Sequence, residues 1–171
     1  MSNLRLLNET TVTSGVSAFS VTDIFSADYD IYKVVIDDVV SANGYWYLRP
    51  INSGGSVIAT STMDNATLLL RADTTYVEYK GTNSSSWWAT SNICYASGNN
   101  GVFYIFNPYS SSTYSFMLGS DTGYAWSYNR TNKSIGVYKD TESITGIQIS
   151  QQSSGTFTAG KIKIYGLRVD S

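Results

Sequence analysis

Residues 29–49 read YDIYKVVIDDVVSANGYWYLR, and this stretch decides the fold. Over residues 29–40, Tyr32, Val34 and Ile36 alternate with Lys33, Val35 and Asp37. An extended backbone sends successive side chains to opposite sides, so the first three share one face and the second three the other. A period of two in β-branched and aromatic residues predicts a strand. Asn43-Gly44 follows, a pair that accepts the positive φ angles of a two-residue turn. Residues 45–49 (YWYLR) then return, so the stretch is expected to form a hairpin.

The same signals recur outward in both directions. Strands are expected at residues 4–7, 56–60, 75–80, 92–96, 102–106, 113–118, 125–129, 134–138, 144–150 and 160–169. In the last two, Ile147 with Ile149 and Ile162 with Ile164 mark inward faces, and Lys161, Lys163 and Tyr165 alternate with the latter pair. Ser53-Gly54-Gly55, residues 97–101, 119–123 and 130–133 read as turns or short connections. Residues 63–71 (MDNATLLLR) fit either a strand or a single helical turn capped by Asp64. No window shows a convincing helical period. The expected fold is all-β: a single jelly-roll-like β-sandwich of about a dozen short antiparallel strands. Residues 1–20 are expected as a polar arm or anchor with the first strand, and residues 21–171 as the sandwich.

The chain has 171 residues, of which 42% are hydrophobic, enough to bury a core without metals or disulfides. Charged residues are 14%, against roughly 25% in average soluble domains, so the surface is built largely from Ser, Thr, Asn, Gln and Gly. A net charge of −2 with scattered Lys and Arg gives no basic footprint for a nucleic acid. No apolar run is long enough for a membrane helix, so no membrane partner is expected. The opening Met1-Ser2-Asn3-Leu4-Arg5 lacks the apolar run of a signal peptide, which predicts a chain made in a cytoplasm and not exported by that route. The single cysteine, Cys94, lies in an expected strand and reads as an inert buried thiol.

The sequence contains no histidine, which removes Ser-His-Asp and Cys-His catalysis and the commonest metal ligand. A pair of carboxylates would suffice for glycoside hydrolysis. The acidic residues fall mostly at turns and strand ends, and Asp37 and Glu78 fall on expected exposed faces. Asp28-Tyr29-Asp30 and Asp121-Thr122-Gly123 lack the ligand density of a calcium loop and read as turns. Neither catalysis nor a cofactor or metal is expected.

Aromatic residues reach 14%, including 14 Tyr and 4 Trp. Tyr and Trp dominate binding hot spots and stack on sugar rings. Trp87, Trp88, Tyr109, Tyr124, Trp126 and Tyr128 fall in or beside expected loops and are the candidate interface or glycan contacts. In an extended Trp87-Trp88 pair only one ring can enter the core. Such a charge-poor, aromatic-rich surface predicts a homo-oligomer.

The run LRLLNETTVTSGVSAFSVTDIFSADYDIYKVVIDDV at residues 4–39 resembles small virion structural proteins of tailed bacteriophages, in which a polar N-terminal segment leads into a Tyr-rich strand. YWYLR at 45–49, the Asn-Pro that ends residues 103–108, ITGIQI at 144–149 and FTAGKIKIYGL at 157–167 follow in the same order. The resemblance implies a jelly-roll-like domain on the particle exterior, assembled in the host bacterial cytoplasm. It implies capsid or tail proteins as partners. The role is either capsid decoration (cement) or a fibre-type appendage subunit, and the alternative is a carbohydrate-binding module that touches a host glycan.

Overall fold

The computed structural model describes residues 3–13, 15–41, 46–89, 97–125, 128–152 and 154–168, with Trp88, Ala89 and Ala125 described by backbone alone. The strands among them are β1 (Leu4–Thr11), β2 (Ala18–Val21), β3 (Ile31–Ser41), β4 (Trp46–Asn52), β5 (Met63–Arg71), β6 (Val77–Ser84), β7 (Trp88–Ala89), β8 (Asn99–Phe106), β9 (Ser115–Ala125), β10 (Tyr128–Tyr138), β11 (Ile144–Gln151) and β12 (Phe157–Leu167). They form an eight-stranded sheet in the order β1-β12-β3-β8-β9-β10-β5-β6 and a four-stranded sheet in the order β2-β11-β4-β7. Every pairing is antiparallel.

The topology is a jelly roll with two additions. Leaving out the hairpins β5–β6 and β9–β10, the chain alternates between the large sheet and the small one at every step but β4 to β7, which are neighbours in the small sheet. The remaining orders, β1-β12-β3-β8 and β2-β11-β4-β7, are two facing four-stranded layers. Both hairpins add to the large sheet beyond β8, so that sheet is twice as wide as its partner.

Alternation places the core. Tyr32, Val34 and Ile36 of β3 are 0–2% exposed, and Ile162 and Ile164 of β12 are fully buried beside them. Trp46, Leu48, Ile147 and Ile149 join the same cluster from the small sheet. The Trp46 and Phe103 rings meet edge to face with centroids 6.5 Å apart. Burying each such side chain contributes about 1.5–3 kcal/mol, which makes this inter-sheet layer the main source of stability.

Several expectations are corrected by long-range pairing. The hairpin expected over residues 29–49 does not form: β3 lies in the large sheet and β4 in the small one. Both edges of β3 are already paired, to β12 and β8, so β4 has no edge to join and crosses to the facing layer. Asn43-Gly44 lies outside the described residues. Residues 119–123 and 130–133, expected as connections, sit inside β9 and β10, which pair in unbroken register from Ser115↔Tyr138 to Ala125↔Tyr128. Residues 99–101 likewise belong to β8, and Gly98 before them takes φ +77°.

Gly119, expected in a connection, and Gly136, expected in a strand, both serve close approach. A Cβ on Gly119 would lie 2.0 Å from the Phe103 ring, and one on Gly136 would lie 2.5 Å from the Trp87 carbonyl oxygen. Residues 63–71 form β5, and Asp64 caps no helix: its Oδ1 lies 2.8 Å from Lys139 Nζ. Within the expected N-terminal segment the first strand forms β1 against β12, and a second, β2, pairs with β11. The strand expected at 92–96, with Cys94, lies outside the described residues.

Candidate interaction surface

An antiparallel sheet with one wet face normally turns polar side chains to water. The large sheet departs from this on the face turned away from the small sheet. Two neighbouring rows of side chains cross it from strand to strand. In one row Leu4, Leu167, Ile31, Phe106, Phe116 and Val137 follow each other from β1 to β10. In the next, Leu6 pairs with Tyr165, Lys33 interrupts, and Tyr104, Leu118, Ile135 and Ala66 continue to β5. Phe116, Leu118 and Ile135 are 48%, 51% and 57% exposed, well above what an unpartnered apolar cluster usually leaves in water.

Between Ile135 and Lys80 the row carries only Ala66, and this short side chain leaves a groove of about 520 Å³ walled by Phe116, Leu118, Ile135 and Val137. The next row is mixed: Glu9 and Lys163 at one edge, Val35, Val102 and Ser120 in the middle, Lys133, Leu68 and Glu78 at the other. Three ion pairs flank the apolar rows. Lys163 Nζ lies 2.8 Å from Asp37 Oδ2, and this hydrogen bond holds the Asp37 carboxyl below its ordinary pKa. Lys139 does the same for Asp64, helped by the Asn83 backbone N–H that donates to it over 2.8 Å. Lys161 and Glu9 lie 3.4 Å apart.

Beneath the same strands, on the inward face, the residues are polar and buried. Asp121 is 2% exposed and Asn99 and Asn132 are fully buried. Both amides donate to Asp121 Oδ2, from 3.3 and 3.5 Å. Burial pushes the Asp121 pKa up to about 7, against the two hydrogen bonds that lower it. Thr67 and Ser134 continue this polar layer with hydroxyls 2.9 Å apart. Asp121 therefore does not sit in a turn. No group of three His, Cys, Asp or Glu side chains gathers to hold a metal among the described residues.

The aromatic residues singled out from the sequence do not meet in one groove. Trp87 is fully buried and belongs to the core, so it is withdrawn as a surface contact. The Trp88 side chain and the whole of Trp126 lie outside the described residues. Tyr124 and Tyr128 stand where β9 turns into β10, and Tyr109 lies in the loop at the opposite ends of β8 and β9. Tyr128 is half-buried between two guanidinium groups: Arg71 and Arg130 stand 4.7 and 4.6 Å from its ring centre, and Arg130 hydrogen-bonds its hydroxyl. Arg71 is in turn held by a two-point bond to Asp73 at 3.0 and 2.8 Å. Tyr124 is 54% exposed. Tyr109, 42% exposed, borders a recess of about 190 Å³ with Tyr29, Asp30, Asn107, Ser26 and Ser110.

The apolar outer face was missed in the sequence because each strand, taken alone, simply alternates. The signal was present in residues 115–125 (SFMLGSDTGYA), where Phe116 and Leu118 alternate with Met117, Gly119 and Asp121. The polar residue falls on the face opposite the apolar pair, and only the sheet decides which face is buried.

No family model and no curated protein matches the chain. Among solved structures it is similar to alginate lyase Aly36B in complex with alginate trisaccharide, at 10% identity and TM-score 0.32, covering 96% of this chain and 88% of that one. It is also similar to a protein of unknown function from Shewanella oneidensis MR-1, at 9% identity and TM-score 0.28, covering 99% and 78%. At these scores neither likeness carries an argument about function.

Proposed function

We propose that the chain is a structural protein of a bacteriophage virion, an exterior capsid decoration or appendage subunit that acts by protein–protein assembly and not by catalysis. The observation that carries this reading is the pair of apolar rows on the outer face of the large sheet. Leaving Phe116, Leu118 and Ile135 in water forgoes the transfer free energy of three large side chains, and a binding partner recovers it. The virion assignment rests on the resemblance of residues 4–39, 45–49, 103–108, 144–149 and 157–167. The non-enzymatic part is supported by the absence of histidine and by the setting of Asp121, the one buried carboxyl among the described residues, whose Oδ2 accepts from two amides.

Particle fractionation tests the proposal. Virions purified on a density gradient are expected to carry the chain, and antibodies to it are expected to decorate the intact particle in electron micrographs. A chain recovered only from the soluble host fraction overturns the reading.

A second reading, glycan binding, is favoured by the recess beside Tyr109. Tyr29, Asp30, Asn107 and Tyr109 line it together, aromatic residues beside hydrogen-bonding ones in a combination that suits a sugar ring. Glycan-array binding that disappears in Tyr109→Ala supports it, and no binding to any glycan removes it.

A further inference from the structure

We propose that the partner of the outer face is a second copy of this chain, packed sheet on sheet. This deepens the assembly reading above and rests on it for one point only, that the face is covered in use.

Three observations favour a copy over another occupant. The first is size. Eight strands and three side-chain rows span a footprint of roughly 750 Å², from strand spacing and rise alone. A stable interface takes about 800 Å² from each partner. The second is shape. The face is a sheet, and two sheets pack with strands about 30° apart because both share one hand of twist. A second copy supplies an equal sheet with an equal twist.

The third is charge. The mixed row beside the apolar pair holds Glu9 and Glu78 against Lys163 and Lys133, so it is neutral overall. Lys163 is already paired with Asp37 and Lys161 with Glu9. Bringing two such rows together buries no net charge. The apolar rows add Lys33 and Lys80 against Asp64, a net charge of only about +1 over all three rows, so a strongly acidic or basic partner finds little to steer it. The alternation also points the same way in the added hairpins. β9 and β10 turn Gly119, Asp121, Asn132 and Ser134 inward and Phe116, Leu118, Ile135 and Val137 outward. Met117 and Tyr138 of the same strands join the core, and the outward apolar side chains are left for a partner.

Sedimentation velocity on the full chain, over a range of concentrations, tests this. The wild-type chain is expected to dimerise. Leu118→Glu and Ile135→Asp each place a charge in the centre of the buried rows and are expected to raise the dimer dissociation constant by about a hundredfold or more. Both positions are more than half exposed, so circular dichroism and melting are expected to match the wild type. Tyr109→Ser, at the end of the sandwich, is expected to leave the dimer intact. A wild-type chain that stays monomeric overturns the inference. So does an odd-numbered assembly, or a dimer that both charge variants leave untouched. A monomeric chain that still decorates purified particles fails this inference alone and leaves the assembly reading standing.

Discussion

The large sheet contains two regions with the same period and opposite sense. In β3 and β12 the inward residues are Tyr32, Val34, Ile36, Ile162 and Ile164, and the outward ones include Lys33, Asp37, Lys161 and Lys163. In β9 and β10 the inward residues include Asp121, Asn132 and Ser134, and the outward ones Phe116, Leu118, Ile135 and Val137. A slip of one residue would exchange these faces, but the register between β9 and β10 runs unbroken over the full length of both strands. The inversion is therefore built into the fold. The jelly-roll half uses alternation to make a core. The added hairpins give Met63, Met117 and Tyr138 to that core at one end, and at the other hold a buried polar layer beneath an apolar outer surface.

The comparison is broken most forcefully in the jelly-roll half. Ile164→Ala, in a fully buried site between β1 and β3, is expected to cost about 2–5 kcal/mol in urea unfolding, whereas Ile135→Ala on the outer face is not.

Asp121 tests the polar layer beneath the hairpins. Its folded-state pKa of about 7 lies above the ordinary 3.8, so the native state holds the extra proton between those values. Stability is then expected to fall as pH rises from about 4 to about 7 and to level off above, since the native state binds more protons than the unfolded chain in that window. Asp121→Asn removes the charge and is expected to flatten this slope. It should raise stability at pH 8 by up to about 4 kcal/mol, the full equivalent of the shift. Thermal melts at pH 5 and 8 measure both, and an unchanged slope in the variant rejects the assignment.

Gly119→Ala pushes a methyl group into the Phe103 ring, which is 1% exposed and has little room to move. The expected loss is about 1–3 kcal/mol, read by the same melts. The smallest effect belongs to the outer face: Ile135→Thr is expected to shift monomer stability by no more than about 0.5 kcal/mol while weakening self-association.

Some strands were legible in the sequence for a local reason. In β3, β11 and β12, short alternating runs (Tyr32, Val34 and Ile36; Ile147 and Ile149; Ile162 and Ile164) mark the inward face, and that pattern depends only on the extended backbone. β9 and β10 were read as broken because residues 119–123 and 130–133 look like connections, and the real role of Gly119, making room for Phe103, involves a residue distant in sequence. Of the aromatic candidates, Tyr109 and Tyr124 are exposed, and strand order sends them to opposite ends of the sandwich.

The sequence by itself determined that this chain is built of strands, that it carries no histidine chemistry, and that its surface is poor in charge. These follow from residue types and from a two-residue period that any extended segment obeys. Only the tertiary structure decided which strands share a sheet, that β3 and β4 face each other across the core, and that Leu118 and Ile135 point to water. Alternation fixes two faces for every strand, and the partner that packs against one of them settles which face is inside.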